Sequence, residues 1–577
     1  MHDNQFGMIN IYQLFPRLFG NASPQQLFDG TIEENGCGKF SGITQQAIEA
    51  LRTLGITHIW LTGIIRHAKI TSYAEFEVPD SHPSLVKGRA GSPYAIADYY
   101  DVDPDLAVDV TQRMSEFEQL VARIHSAGLK VLIDFVPNHV ARQYRSVAKP
   151  DGVHDLGCND DTSVEFHPQN NFYYLPGRTF LPPQRTGAIY QTDAIYVEQP
   201  AKVTGNDCFS ASPEVTDWFE TVKLNYGVNY SGFMEQHFNP IPDTWHKMLH
   251  ILRYWADKGV DGFRADMAEM VPLAFWEWAI RQLKETHPHL LMIAEVYQPG
   301  RYHDFAAAGF DFLYDKVGLY DKLMNILRHQ HAAQDISECW RKTEGLNNRM
   351  LRFLENHDEV RLASRHTGLQ PLHSLPAMAV AAFMHPSALL IYNGQESGET
   401  ATGASGFSGD DGRTSIYDYC IMPQHQQWYN NGNCDGAMLS YDQKLLRLAF
   451  QKMLMARLTM PALKSGAFYD LMWANPWFTN FDPQYVFAFL RYCTDQKIIV
   501  LANFNKSELR SIKLKIPEDA FRLMGFDTAN LPVFEFHLRL GQGNAQQKLD
   551  GSQIPSEGCT ITIPPSNFAI FELVTPS

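Results

Sequence analysis

The chain is short of the features that mark several large protein classes. Charged residues fill only 19% of its 577 positions, below the roughly 25% usual for soluble proteins, while apolar types reach 45%. That balance excludes intrinsic disorder and suits a well-buried globular enzyme. Basic residues are the scarcer sign, with 48 Lys and Arg against 64 Asp and Glu and a formal net charge of −16. Such a chain has no basic face for nucleic acid or an anionic membrane, and a neutral ligand fits it better. Cysteine is sparse too. Cys37, Cys158, Cys208, Cys339, Cys420, Cys434, Cys493 and Cys559 are scattered, with no C-x-x-C pair and no His cluster at zinc spacing. They read as thiols of a reducing compartment. The longest uncharged apolar stretch, Pro376 to Tyr392, is interrupted by His385-Pro386 and reads as helix, turn and buried strand, not as a membrane span. Met1-His2-Asp3-Asn4-Gln5 has neither the basic start nor the apolar run of a signal peptide. The expectation is a cytoplasmic protein with no membrane partner, although a secreted chain trimmed of its leader fits the same start.

Aromatic residues are plentiful, at 12% with 10 Trp and 25 Tyr. Their flat faces serve a core and also stack on sugar rings.

One pattern recurs three times: an amphipathic helix, a glycine, then a short apolar strand. Ala47, Leu51 and Leu54 precede Gly55 and Ile56–Leu61; Phe117, Leu120, Val121 and Ile124 precede Gly128 and Leu129–Phe135; Trp245, Met248, Leu249 and Leu252 precede Gly259 and Val260–Phe263. The glycine ends each helix in a left-handed residue, and the run behind it reads as a strand buried on both faces. Further strands are predicted at Met8–Phe15, Leu290–Glu295, Asp311–Tyr314, Met350–Glu355 and Ala388–Tyr392. Eight parallel strands alternating with helices, and no glycine-rich phosphate fingerprint after the first, predict an α/β fold, a (β/α)8 TIM barrel. Residues 139–240 are loop-like and too long for a βα connection, so they read as an inserted irregular domain after the third strand. Residues 1–138 and 241–465 form the two parts of the barrel. After them, residues 466–577 carry short β-rich runs, at Tyr485–Tyr492, Lys497–Phe504, Ile512–Ile516, Thr560–Ile563 and Ala569–Val574, that predict an antiparallel β-sandwich.

Barrel enzymes place their chemistry at the C-terminal ends of strands. There the third strand offers Asp134 through His139, the fourth Arg264 and Asp266, the fifth Glu295, and the seventh Glu355-Asn356-His357-Asp358. A single aspartate at such a place is often only a helix N-cap, and Arg264 with Asp266 is by itself an ordinary ion pair. Several carboxylates on successive strand ends are a different matter. Glycosidic cleavage with retention requires an ionised carboxylate to attack the anomeric carbon and a protonated one to release the leaving oxygen, about 5–5.5 Å apart. The neighbouring Arg264 is expected to lower the pKa of Asp266 and keep it ionised. Glu295 is expected to be the acid, its pKa raised by burial and by other carboxylates. Asp358 would stabilise an oxocarbenium-like transition state, and His139 and His357 would bond sugar hydroxyls.

These segments resemble the sequence regions of the α-amylase family, glycoside hydrolase family 13: Val131–His139 the first, Gly262–Asp266 the second, Ala294-Glu295 the third and Phe353–Asp358 the fourth. The resemblance implies Asp266 as nucleophile, Glu295 as acid/base, Asp358 as transition-state stabiliser, and Arg264, His139 and His357 around the cleavage subsite. Ser92–Tyr99 resembles the family's loop after the second strand, which implies Tyr94 as the platform under the sugar. If only its ring matters, Tyr94→Phe is expected to change little. The chemistry needs no cofactor. In many relatives the position of Asn138 helps to hold a structural calcium, whose other ligands are not matched in this chain. Two motifs depart from the family: Glu269-Met270 stand where many α-amylases have Lys-His, and Val222-Lys223-Leu224-Asn225 where Pro-Asp-Leu-Asn is frequent. Ala274-Phe275-Trp276-Glu277-Trp278 is similar to a stretch of the maltosyltransferase branch, but its helical spacing also suits a core.

The expected function is that of a retaining α-glycosidase cleaving α-1,4-glucosidic bonds of oligo- or polysaccharides. An α-glucan transglycosylase, of 4-α-glucanotransferase or maltosyltransferase type, would use the same residues. A non-catalytic binding subunit should have lost one of the carboxylates, and this chain keeps all three.

Overall fold

A computed structural model describes residues 7–401, 403–477, 480–546 and 548–576. The first five residues, read above for a leader, lie outside the described residues. The three helix–glycine–strand units form as their spacing predicts. The helix Gln45–Leu54 starts at Thr44, whose side chain accepts from the Ala47 N–H, and ends at Gly55 with a φ of 104°. It buries Ala47, Ile48, Leu51 and Leu54. Arg113–Ser126 buries Phe117, Leu120, Val121 and Ile124, and Asp243–Asp257 buries Trp245, Met248, Leu249 and Leu252. Gly128 and Gly259 also take left-handed φ values, a conformation that costs a side chain but not glycine.

Eight parallel strands close a barrel. They are β1 (Asn10–Leu14), β2 (His58–Leu61), β3 (Lys130–Phe135), β4 (Gly262–Ala265), β5 (Leu291–Ala294), β6 (Phe312–Tyr314), β7 (Met350–Arg352) and β8 (Ala388–Tyr392). Each neighbours the next in sequence, and β1 returns to β8 with Asn10 beside Leu389. Apart from Lys130 at the start of β3, every strand residue is buried, as both faces of a barrel strand require. The β1–β8 seam is pinned by Arg457, a fully buried residue of the helix Tyr441–Thr459. Its Nε donates to Asn10 Oδ1 at 2.7 Å, and its Nη atoms donate to the carbonyls of Ile9, Ala382 and Ser387. The apolar stretch ending in β8 is the helix Leu375–Phe383, buried throughout, then a turn at His385 and the strand itself. Among the described residues no helix is long and apolar enough to cross a membrane. All eight cysteines are free thiols, four of them buried.

Between β3 and the helix Asp243–Asp257 the chain forms only short antiparallel ladders. His139–Ala141 pairs with Thr221–Lys223, and Tyr174–Leu175 with Ala201–Lys202. Tyr173, Leu175, Phe180, Ala201, Val203 and Phe219 share a small core here with Leu85 of the β2–β3 connection. Beyond the barrel a six-stranded antiparallel sheet runs in the order Ala467–Asp470, Val486–Tyr492, Lys497–Asn503, Asn567–Val574, Val533–Gly541, Lys548–Asp550. A three-stranded sheet of Arg510–Leu514, Cys559–Ile563 and Asn544–Ala545 accompanies it. Buried side chains of both sheets join one core.

Candidate active site

The ends of β3, β4, β5 and β7 surround a cavity of about 280 Å³ lined by Tyr94, His139, Asp266, Glu295, His357 and Asp358, among others. Arg264 is its hub. The side chain is fully buried; Nη1 lies 2.8 Å from Asp266 Oδ1 and 3.3 Å from Asp134 Oδ1, and Nη2 lies 2.8 Å from Glu295 Oε1. Nε donates to the Tyr314 hydroxyl at 3.2 Å, and the rings of Trp60, Tyr94 and Tyr314 each stand 5.5 Å from the guanidinium carbon. Residues 264 and 266 point the same way because alternate strand positions share a face. One guanidinium therefore serves carboxylates from three strands.

That sharing overturns one expectation. Arg264 does not hold Asp266 below the usual carboxylate range: burial pushes Asp266 well above it, and the charges of Glu295, Asp134 and Asp358 add to burial while Arg264 opposes. Asp134, with a hydrogen bond from Trp60 Nε1 at 3.0 Å, is pushed up to about 6 by burial. Four carboxylates crowd around a single fixed cation, an arrangement that favours keeping a proton in the cluster, and such groups titrate together. Glu295 is held by its ion pair with Arg264 and by two hydrogen-bond donors. Besides Arg264, the Met267 N–H donates to Oε2 at 2.6 Å and the Tyr297 hydroxyl to Oε1 at 2.7 Å. Asp358 takes its place through its own N–H, which donates to Asn356 Oδ1 at 2.9 Å.

Tyr94 is more than a ring. Its hydroxyl lies 2.6 Å from His357 Nε2, and the two rings are stacked with centroids 5.2 Å apart. Nε2 of His357 is also 3.1 Å from Asp358 Oδ2, and Nδ1 is 2.8 Å from Gln13 Nε2 of β1. Tyr94, His357 and Asp358 are thus one connected wall. His139 packs against Trp218, with ring centroids 5.1 Å apart. Burial, with the Lys223 and Lys87 charges adding, takes its imidazole down to about 3, so it is neutral at pH 7.

Several lining residues are absent from the sequence reading: Lys87, Trp218, Glu220, Tyr297 and Tyr417. Tyr297 carries a readable signal, standing two residues after Glu295 as Asp266 stands two after Arg264. Lys87 and Glu220 pair at 3.0 Å across two long loops, and no local pattern announces that. Of the departures from the family pattern, Glu269 accepts the N–H groups of Tyr297 and Gln298 at 3.1 and 3.2 Å, and so props the loop that carries Tyr297. Trp276 is fully buried, packed on Phe135 and Phe310, and donates to the Ala268 carbonyl at 3.0 Å. The Ala274–Trp278 stretch contributes no cavity residue. Asn138 sits under His139, its amide oxygen taken by Lys223 Nζ at 2.9 Å. Among the described residues no group of three or more His, Cys, Asp or Glu is placed to hold a metal ion.

Comparisons with known proteins agree with this geometry. Residues 13–431 match the family model described as "Alpha amylase, catalytic domain". "Alpha-amylase 3" of Dictyoglomus thermophilum is 22% identical over 86% of this chain and 85% of its own length. "Neopullulanase 2" of Thermoactinomyces vulgaris is 22% identical over 88% of this chain and 71% of its own. The crystal structure of the alpha-amylase from Geobacillus thermoleovorans, complexed with acarbose, superposes with a TM-score of 0.62 at 17% identity, covering 99% of both chains. With the family model spanning most of the chain and the barrel closed as the family's fold requires, the chain belongs to the alpha-amylase family.

Proposed function

We propose that the protein is a retaining α-glycosidase acting on α-1,4-linked glucans or maltooligosaccharides. The observation that carries this reading is the pair of carboxylates, Asp266 and Glu295, on the two Nη atoms of one guanidinium. That arrangement supports the close spacing a double displacement needs, in contrast to the wider gap that leaves room for an inverting water. Asp266 attacks the anomeric carbon and forms a glycosyl ester while Glu295 passes its proton to the departing oxygen. Glu295 then takes a proton from water, which breaks the ester. Asp358 faces the positive charge that develops on the ring, and Tyr94 is the platform beneath it. His139 and His357 meet hydroxyls of the same sugar. If a sugar hydroxyl replaces the water, the same steps give transglycosylation, and nothing in the catalytic set distinguishes the two acceptors.

A mass-spectrometric time course of products from maltoheptaose is the test. Products only shorter than the donor are expected, their sizes telling internal from terminal cleavage. Early chains longer than the donor would replace hydrolysis by transfer, and an intact donor would remove the proposal. A second prediction concerns Tyr94. Because its hydroxyl bonds His357, Tyr94→Phe leaves the buried Nε2 with Asp358 as its remaining partner, a loss worth about 1 kcal/mol. Steady-state kinetics should show kcat/KM lower by several-fold. A variant with unchanged kcat/KM would return Tyr94 to stacking alone.

A further inference from the structure

The end of β3 meets the inserted segment around a buried ammonium. Lys223 lies directly across the short ladder from His139, and its side chain is only 2% exposed. Nζ stands 2.9 Å from Asn138 Oδ1 and 2.5 Å from Asp207 Oδ1, with the Tyr230 ring 5.3 Å away. Calcium requires six to eight oxygens at about 2.3–2.6 Å. The oxygens here are already engaged. Asn138 Oδ1 and the Asp207 carboxylate face the lysine, and the Gly205 carbonyl accepts from Asn138 Nδ2 at 2.7 Å. Packing leaves no slack either, since a Cβ on Gly205 would fall 2.4 Å from Thr221 Oγ1 and 2.9 Å from His139 Cβ. The residues present do not fit a calcium shell.

We propose that Lys223 is the built-in cation of this site, standing in for the calcium that the Asn138 position suggests, and that through Asn138 it fixes which nitrogen of His139 carries hydrogen. An ammonium only donates, so the Asn138 amide must turn its oxygen to Lys223. Its nitrogen then faces the Gly205 carbonyl and His139 Nδ1, the latter at 3.2 Å. Nδ1 accepts, and the ring hydrogen sits on Nε2. Nε2–H is then the donor that His139 offers to a hydroxyl in the cavity. Lys223 is a positioning residue in this scheme. It acts on substrate only through two side chains, and joins the inserted segment to the barrel where the substrate binds.

The test has two arms, and only the kinetic one rests on the glycosidase reading. In the thermal arm, the full-length protein should melt at the same Tm after exhaustive dialysis against EGTA as in excess calcium chloride. A fall on chelation that calcium restores would overturn the built-in cation. Lys223→Met should lower Tm by about 3 °C or more under both conditions, because the buried Asn138 Oδ1 loses the donor it faces. In the wild-type protein, 15N spectra of labelled histidine, with His139 assigned from its absence in His139→Gln, should show hydrogen on Nε2; hydrogen on Nδ1 would overturn the scheme whether or not Lys223→Met folds. In the kinetic arm, Lys223→Met should raise KM for maltooligosaccharides about tenfold with a smaller change in kcat. A lower Tm with unchanged KM would reduce Lys223 to a structural pin.

Discussion

Asp266→Asn is expected to slow turnover of maltooligosaccharides by about 10⁴-fold or more, since the residual rate of an enzyme stripped of its nucleophile comes from binding and charge stabilisation alone. The amide keeps the shape and can still accept from Arg264 Nη1, which sits 2.8 Å from the carboxylate, so the loss belongs to chemistry. Stability should move the other way. The folded-state pKa of Asp266 is raised above its ordinary value by burial. Sign matters here: a carboxyl raised in the native state costs nothing while protonated in both states, at pH below its ordinary value. Its ionisation costs stability as pH climbs from that value through the raised one. Removing the charge should therefore leave Tm at pH 7 equal to or above that of the wild type, with the difference shrinking toward pH 4. Near-normal kcat in this variant would take the nucleophile role from Asp266, whereas a collapsed Tm would show that the loss came through the fold.

For Glu295→Gln the expected result is a split between substrates. General acid catalysis contributes about 10²–10⁴-fold, and it matters in proportion to the basicity of the departing oxygen. Maltooligosaccharides should lose roughly 10³-fold in kcat/KM, and aryl glycosides with acidic phenols about tenfold or less in the glycosylation step. Glutamine has one acceptor oxygen where the carboxylate has two: it can accept from the Met267 N–H, which lies 2.6 Å from Oε2, only with its NH2 turned to the Oε1 side, where the Tyr297 hydroxyl at 2.7 Å can accept from it. Equal losses on both substrates would show that Glu295 positions the sugar without moving a proton.

The barrel was legible because its signal is local. Each helix stripe, its glycine and the apolar run behind it lie within 15 to 19 residues, and all eight predicted strands are present. The clustering of the carboxylates proposed as catalytic was legible for the same reason, since they are strand-end residues on a scaffold whose strand ends point to one place. Not every strand of the C-terminal sheets was. Val533–Gly541 alternates weakly, with Val533, Leu538 and Arg539 exposed, and its pattern does not stand out from loop. The cavity wall was hidden by distance in sequence, since Trp218 and Glu220 arrive from one loop and Tyr417 from another far along the chain. Lys223 was visible as an oddity in a short motif, but its meaning depends on Asn138, 85 residues earlier. The ionisation of Asp266 departs from expectation first because the carboxyl is buried, and then because Arg264 is shared with other carboxylates. A neighbour two residues away can be read from sequence, but the two further carboxylates that draw on the same guanidinium cannot.

The seam between β1 and β8 sets the order of events at synthesis. The first strand has no partner on one edge until Leu389 has been made, and Arg457, which pins that edge to Asn10, comes later still. At roughly 5–20 residues per second, the nascent chain waits on the order of half a minute or more with an unpaired β1 edge and half-built core. An edge left open that long invites pairing with other chains. Asp266, Glu295 and Asp358 are translated before Tyr417 and before the strand that closes the barrel, so the proposed activity comes only at the end of assembly. Truncations that stop between Tyr392 and Arg457 should therefore yield chains that hold the catalytic set and depend on chaperones to stay soluble.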